Sequence, residues 1–233
     1  MSCIISIETA TSTCSVALHK YSRLLGSQSL SIEKSHSSHL VVMIEQLLKN
    51  CQVESKDLQA VAVSKGPGSY TGLRIGTATA KGLCYALDIP LIGVNTLLGM
   101  AHQFKDVPVG IDFLCPMIDA RRMEVYCSIL NRDFEIELKS RAVIVKKDSF
   151  DRWLRRGNVL FFGNGSTKCR EVLNGKNSFF VRDFVPDAAS IGLLAGQKLE
   201  RGETEDLAYF EPYYLKQYRT TVPKDKIAIK DEK

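Results

Sequence analysis

The chain has no CxxC pair, no HExxH motif and no run of about 18 apolar residues, and it carries only 4 histidines among 233 residues. Each absence excludes something. Without CxxC or HExxH there is no zinc-ribbon or zincin ligand set. Without a long apolar run there is no candidate membrane span. The N-terminus runs straight into the strand-like CIISIET, with no basic start and no apolar stretch behind it, so the expectation is a cytoplasmic protein without a secretory signal. Seven cysteines, Cys3, Cys14, Cys51, Cys84, Cys115, Cys127 and Cys169, are scattered, several within apolar strand patterns, and are expected to be reduced and buried.

What is present is ordinary globular composition, 45% hydrophobic and 24% charged. At this length folding buries about 70–75% of the unfolded surface, so neither disulfide nor metal is needed for a core. The net charge of +5 is modest. Part of it sits at the end of the chain, where Lys216, Arg219, Lys224, Lys226, Lys230 and Lys233 outnumber Asp225, Asp231 and Glu232. Such a tail is either a solubilising terminus or a surface for an acidic partner such as RNA.

Hydrophobic patterning predicts strands over Cys3–Ile7, Thr13–His19 and Leu24–Leu30, then a helix over Ser35–Cys51 with apolar residues at Leu40, Met43, Ile44, Leu47 and Leu48. A strand over Gln59–Val63 leads into the loop GPGSYTGLR, Gly66 to Arg74, and a helix to about Leu87; Pro90–Val94 is a strand and Asn95 to about Phe104 a helix. The order is βββαβαβα. It starts again with strands Phe113–Ile118, Val125–Leu130 and Leu138–Val145, helix Ser149–Arg155, strand Val159–Phe162, helix Ser166–Leu173, strand Phe179–Val181 and helix Ala188–Arg201. SIETATSTCSVAL and MIDARRMEVYCSIL each place an acid after an apolar strand, which puts Glu8 and Asp119 in matching places. Two βββαβαβα halves around a cleft predict an α/β, two-lobed, actin-like ATPase fold. The lobes are expected at 1–104 and 105–219, with helix 188–201 a candidate to pack back on the first lobe and 220–233 a flexible tail.

In such a fold a nucleotide sits between the lobes, with hairpin amides around its phosphates and a strand-end carboxylate near the metal. The candidates are Glu8 with the turn through Thr9 and Thr11, Asp119 with the turn Ala120–Arg122, and Gly163 and Gly165 of FFGNGS. Two roles are open to them. The carboxylates either face a nucleotide or accept from their own hairpin amides, and the glycines either approach a ligand or supply the positive φ of a turn. GPGSYTGLR lacks the lysine of a Walker loop, and Gly72, Gly76 and Ala80 then recur every four residues along a narrow helix face suited to close approach, by the chain's own sheet or by another subunit.

SIETATSTCSVAL, SHSSHL, VAVSKGPGSYTGLRIGTATAKGL, PLIGVNTLLGMA and MIDARRMEVY follow one another in a way that resembles the TsaB (YeaZ) family, over most of residues 1–130 and more faintly through FFGNGS and EPYYLK. The resemblance implies the actin-like fold and an accessory, non-catalytic role in threonylcarbamoyladenosine formation at adenosine 37 of tRNA. It implies a heterodimer with the transferase TsaD, a homodimer alone, and the ATPase TsaE and a TsaC-type threonylcarbamoyl-adenylate synthase in the same pathway. It implies indirect contact with tRNA and no membrane. The partner face it suggests is His39, Met43, Leu47, Gly72, Leu73, Gly76 and Ala80. No cofactor is required, with ATP or ADP an option at the inter-lobe cleft or heterodimer interface and no metal site.

TsaD carries an HxxxH pair where this chain has Thr96 and Met100, and a hydroxyl and a thioether do not replace two imidazoles. His36 and His39 lie far earlier, and His102 falls on another side of the helix. The family usually has aspartate where this chain has Glu8. Two enzymatic alternatives stand beside the accessory reading. A glycoprotease-like peptidase needs an activated nucleophile that the sequence does not display, and a small-molecule kinase of the same fold would use Asp119 as base.

Overall fold

The computed structural model describes residues 3–32, 36–104 and 106–216; the helix start at Ser35 and the tail 220–233 lie outside them. The first half comprises β1 (Cys3–Glu8), β2 (Cys14–Lys20), β3 (Arg23–Leu30), α1 (His36–Asn50), β4 (Ala60–Gly66), α2 (Tyr70–Leu87), β5 (Leu91–Asn95) and α3 (Thr96–Ala101). The second repeats the order with β6 (Phe113–Asp119), β7 (Glu124–Asn131), β8 (Ile136–Ile144), α4 (Asp151–Leu154), β9 (Val159–Phe162), α5 (Ser166–Cys169), β10 (Ser178–Phe180) and α6 (Ala188–Glu200). Each half forms a five-stranded sheet, ordered β3-β2-β1-β4-β5 and β8-β7-β6-β9-β10. The pairings also repeat: two antiparallel hairpin pairs, then two parallel ones. The duplication expected from the sequence is therefore present strand for strand.

Local chemistry explains the boundaries. In β1 all six residues are buried, as for a strand covered on both faces. The edge strand β3 alternates between exposed and half-buried positions over its second half. Ser69 caps α2 by accepting from the Gly72 amide at 3.3 Å, and Asp88, left-handed at φ 52°, ends it. Asn95 caps α3 through the Leu98 amide at 3.1 Å, and Asp187 caps α6 through the Ser190 amide at 2.8 Å. The strand expected to end at Val63 runs on to Gly66 because its later residues keep pairing with β5.

Four apolar clusters cover the four sheet faces. On the outer face of the first sheet, Ile5, Ile7, Val16, Leu18, Val61 and Val63 meet Leu40, Met43, Ile44 and Leu47 of α1 and Ala80 and Cys84 of α2. On the outer face of the second, Cys115, Met117, Val125, Cys127 and Phe161 meet Phe150, Trp153, Cys169 and Leu173. Between the sheets, the halves exchange helices. Leu97, Met100 and Ala101 of α3, which ends the first half, pack with Leu114, Ile118 and Phe162 of the second sheet. Ile191, Leu194 and Ala195 of α6, which ends the second half, pack with Ile4, Ala60, Ala62 and Ile92 of the first. A division of the chain at residue 104 therefore separates each sheet from part of its own core. All seven cysteines are free thiols, six of them buried and Cys51 partly exposed.

Candidate functional site

Glu8 ends β1 and is 1% exposed. Its Oε1 accepts from the Ala10 amide at 2.6 Å, its Oε2 is buried with no hydrogen-bond partner among the described residues, and burial pushes its carboxyl up to about 7. Three further bonds hold the turn. The Thr9 amide donates to Ser64 Oγ at 3.4 Å, the Thr13 amide to Thr11 Oγ1 at 3.3 Å, and the Thr11 carbonyl accepts from His36 Nε2 at 3.0 Å. Helix α2 presses on this turn. A Cβ at Gly72 would run into the Thr9 carbonyl, one at Gly76 into Thr9 Oγ1, and one at Gly68 into Ala10, while the Ser69 amide donates to the Ala10 carbonyl at 2.7 Å. The glycine spacing thus serves close approach to the chain's own turn.

The corresponding corner of the second lobe is also engaged. Asp119 Oδ1 accepts from the Arg121 amide at 2.6 Å and from Lys168 Nζ at 2.5 Å, and the Asp119 amide donates to Asn164 Oδ1 at 3.0 Å. Gly163 has φ 96°, and side chains at Gly163 or Gly165 would strike the backbone at the end of β6. The match between Glu8 and Asp119 needs correcting. Strand alternation places Glu8 on the α6 side with Ile4, whereas Asp119 shares a face with Cys115 and Met117 and reaches Lys168 of α5. By face, the counterpart of Asp119 is Thr9 and that of Glu8 is Ile118. The six candidates gather as two groups of three, one per lobe, and the hairpin amides of Thr9, Ala10, Thr13, Asp119 and Arg121 all have acceptors within the chain. These five amides are not free to surround a phosphate as they stand. Asp119 as a kinase base would first have to leave Lys168.

A cavity of about 930 Å³ lies elsewhere at the junction, between Pro67–Thr71, the turn Asp119–Arg122 and the segment Tyr213–Lys216. Of the six candidates only Asp119 lines it. The Tyr213 amide donates to the Lys65 carbonyl at 2.6 Å, the rings of Tyr70 and Tyr214 lie 4.8 Å apart, and Lys216 pairs with Glu124 of the second lobe. Sequence reasoning missed this segment as a wall. Its only signal was the paired tyrosines of EPYYLK.

The remaining candidates separate by exposure. Met43, Leu47, Leu73 and Ala80 are buried in the chain's own core, and Gly72 and Gly76 are buried against Thr9, so all six pack inside the single chain. His39 is exposed on α1. The outer faces of the two helices also expose Val41 at 60% and Val42 at 45% on α1 and Tyr85 at 84% on α2, and a Cβ placed at Gly82 would meet nothing within 4 Å. Thr96 is fully buried, with its Oγ1 accepting from the Gly66 amide at 3.1 Å, and Met100 lies in the inter-sheet core with its Cε against Gly163. His102 stacks on Phe134 at 4.4 Å, and burial lowers its pKa. Among the described residues no helix is long and apolar enough to cross a membrane.

Residues 24–218 match the family model described as TsaD, tRNA N6-adenosine threonylcarbamoyltransferase. The "tRNA threonylcarbamoyladenosine biosynthesis protein TsaB" of Bacillus subtilis (strain 168) is 34% identical over 223 residues, which cover 91% of this chain and 93% of that one. The chain belongs to the TsaB family. The solved structure of YeaZ from Pseudomonas aeruginosa, the other name of TsaB, superposes with a TM-score of 0.76 at 28% identity, over 92% of this chain and all of that one. The ADPNP-bound activator of 2-hydroxyisocaproyl-CoA dehydratase from Clostridium difficile superposes with a TM-score of 0.51 at 10% identity, over 86% of this chain and 97% of that one, a likeness of fold alone. The TsaB fold here is thus the two-lobed actin-like ATPase architecture.

Proposed function

We propose that this chain takes part in threonylcarbamoyladenosine formation in tRNA as a non-catalytic subunit that binds and activates a TsaD-type transferase. The pathway follows from membership of the TsaB family. The subunit role rests on one observation: the two positions that the resemblance aligns with the transferase HxxxH pair are given over to structure. Thr96 holds the Gly66 amide, and Met100 fills the inter-sheet core. Imidazoles there would have to leave the interior to bind metal or substrate, and the chain needs no cofactor of its own on this reading.

On this reading the surface that serves the partner is the exposed side of α1 and α2, where His39, Val41 and Val42 stand out on the first helix and Gly82 and Tyr85 on the second. Flat, small-residue faces allow helices to approach closely, and apolar side chains at a patch centre supply most of the affinity. The test is a reconstituted modification assay with the purified transferase, its ATPase and the adenylate-forming enzyme, run with and without this chain. Dependence of tRNA modification on the chain, together with co-elution with the transferase, supports the reading. Full modification without the chain, or modification by the chain alone, overturns it.

A further inference from the structure

The cavity at the lobe junction carries chemistry that a purely scaffolding role leaves unused. Arg121 and Arg122 stand exposed on its rim, both with positive φ, 69° and 48°. Neither guanidinium has a hydrogen bond or ion pair among the described residues, whereas the neighbouring Asp119, Glu124 and Lys216 are all paired. Glycine would adopt this turn more readily, yet two arginines hold it. Around them the cavity is lined by Tyr70, Tyr126, Tyr213 and Tyr214. Tyr70 and Tyr214 make a tilted ring shelf at 4.8 Å, and Tyr213 is 45% exposed.

Unpaired cations interleaved with ring faces suit a ligand that alternates phosphates with flat bases. Two sources share that chemistry, a free nucleotide and an RNA strand. Three observations favour the strand. Five hairpin amides, those of Thr9, Ala10, Thr13, Asp119 and Arg121, are engaged within the chain, and Asp119 is held by Lys168. The cavity, about 930 Å³ with tyrosines on several walls, is larger than one base needs. The wall ends at Lys216, and the sequence beyond it continues with Arg219, Lys224, Lys226, Lys230 and Lys233.

We infer that this cavity binds an unpaired segment of RNA, with Arg121 and Arg122 on its phosphates and the tyrosine shelf against its bases. The inference rests on the tRNA-modification reading but fails separately from it. The experiment measures fluorescence anisotropy of the full chain with a labelled RNA stem-loop, the same stem closed without a loop, and labelled ADP, across a salt series. The stem-loop should bind best. Replacing both arginines, Arg121→Ala with Arg122→Ala, should weaken it at least tenfold and flatten the log–log salt slope by about 1.4, the change expected when two phosphates of a single strand are no longer neutralised. Alanine keeps the Cβ, so the turn is unchanged, and an unshifted melting temperature checks this. Tyr214→Ala should weaken binding about tenfold while Tyr214→Phe does not. Lys49→Ala with Lys139→Ala removes the same charge elsewhere and should leave affinity close to the parent's. Equal binding by the arginine variant, equal binding of the loopless stem, or tighter binding of ADP than of the stem-loop would each overturn the inference. Should any of these occur while tRNA modification still depends on the chain, the subunit reading stands without it.

Discussion

The two lobes share a strand order and pairing but differ in what covers them. The first sheet carries α1 and α2, 15 and 18 residues long, on its outer face, whereas α4 and α5 in the second lobe are four residues each. The second lobe compensates with aromatic bulk: Phe161 is fully buried between Phe150 and Phe180, at ring distances of 5.4 and 5.2 Å. Long helices expose a broad second face, and short ones do not. The difference teaches that one copy of a duplicated unit presents a broad outer helical face, while the other is a compact support for a turn and a cavity wall.

The largest expected effect tests whether the lobes are energetically separate. Phe161→Ala should destabilise the protein by about 3–5 kcal/mol. Because α3 and α6 exchange between the sheets, calorimetry should show one transition shifted as a whole. Two resolved transitions, with the first lobe unmoved, would break the comparison as drawn.

The strand-end acids differ next. Glu8 is raised to about 7 by burial, so the folded state holds a proton that the unfolded chain, near 4.5, has already released. Its contribution is therefore present at low pH and lost as pH rises from about 4.5 through 7, on the order of 3 kcal/mol. Buried His19, whose pKa is lowered, works in the other direction below its ordinary value of 6.5. Urea unfolding of parent and Glu8→Gln across that range isolates Glu8: their stability difference should shift toward the variant as pH rises. A difference that is flat with pH would contradict the buried carboxyl.

Two glycines on α2 sharpen the contrast between inside and outside. Gly76→Leu should cost about 1–3 kcal/mol by forcing α2 off Thr9, so it perturbs the fold rather than a docking surface. Gly82→Leu should leave stability unchanged or raise it by up to about 1 kcal/mol, through helix propensity, yet weaken transferase binding in size-exclusion chromatography. Equal destabilisation by both would mean the two faces have been assigned the wrong way round.

Much of this was legible in the residues. The βββαβαβα repeat, the amphipathic α1 and the family all read directly from patterning and motif. The site read less well. Glu8 and Asp119 look equivalent along the chain, but a one-residue offset in an extended strand turns a side chain to the opposite face, and letters do not show the pleat. Gly72, Gly76 and Ala80 announce close approach without naming the neighbour, which proved to be Thr9 and the chain's own core. EPYYLK shows its paired tyrosines but not that they wall the same cavity as Tyr70, some 140 positions earlier.

The amino-acid sequence by itself determined the periodicities, the turns and the duplicated order, because those depend on neighbours a few residues apart. Only the tertiary structure decided which faces are buried, that α3 and α6 trade lobes, and that two arginines and a set of tyrosines meet at one opening. Those outcomes depend on contacts between segments far apart in the chain, which are set when the sheets pack and not by any local preference.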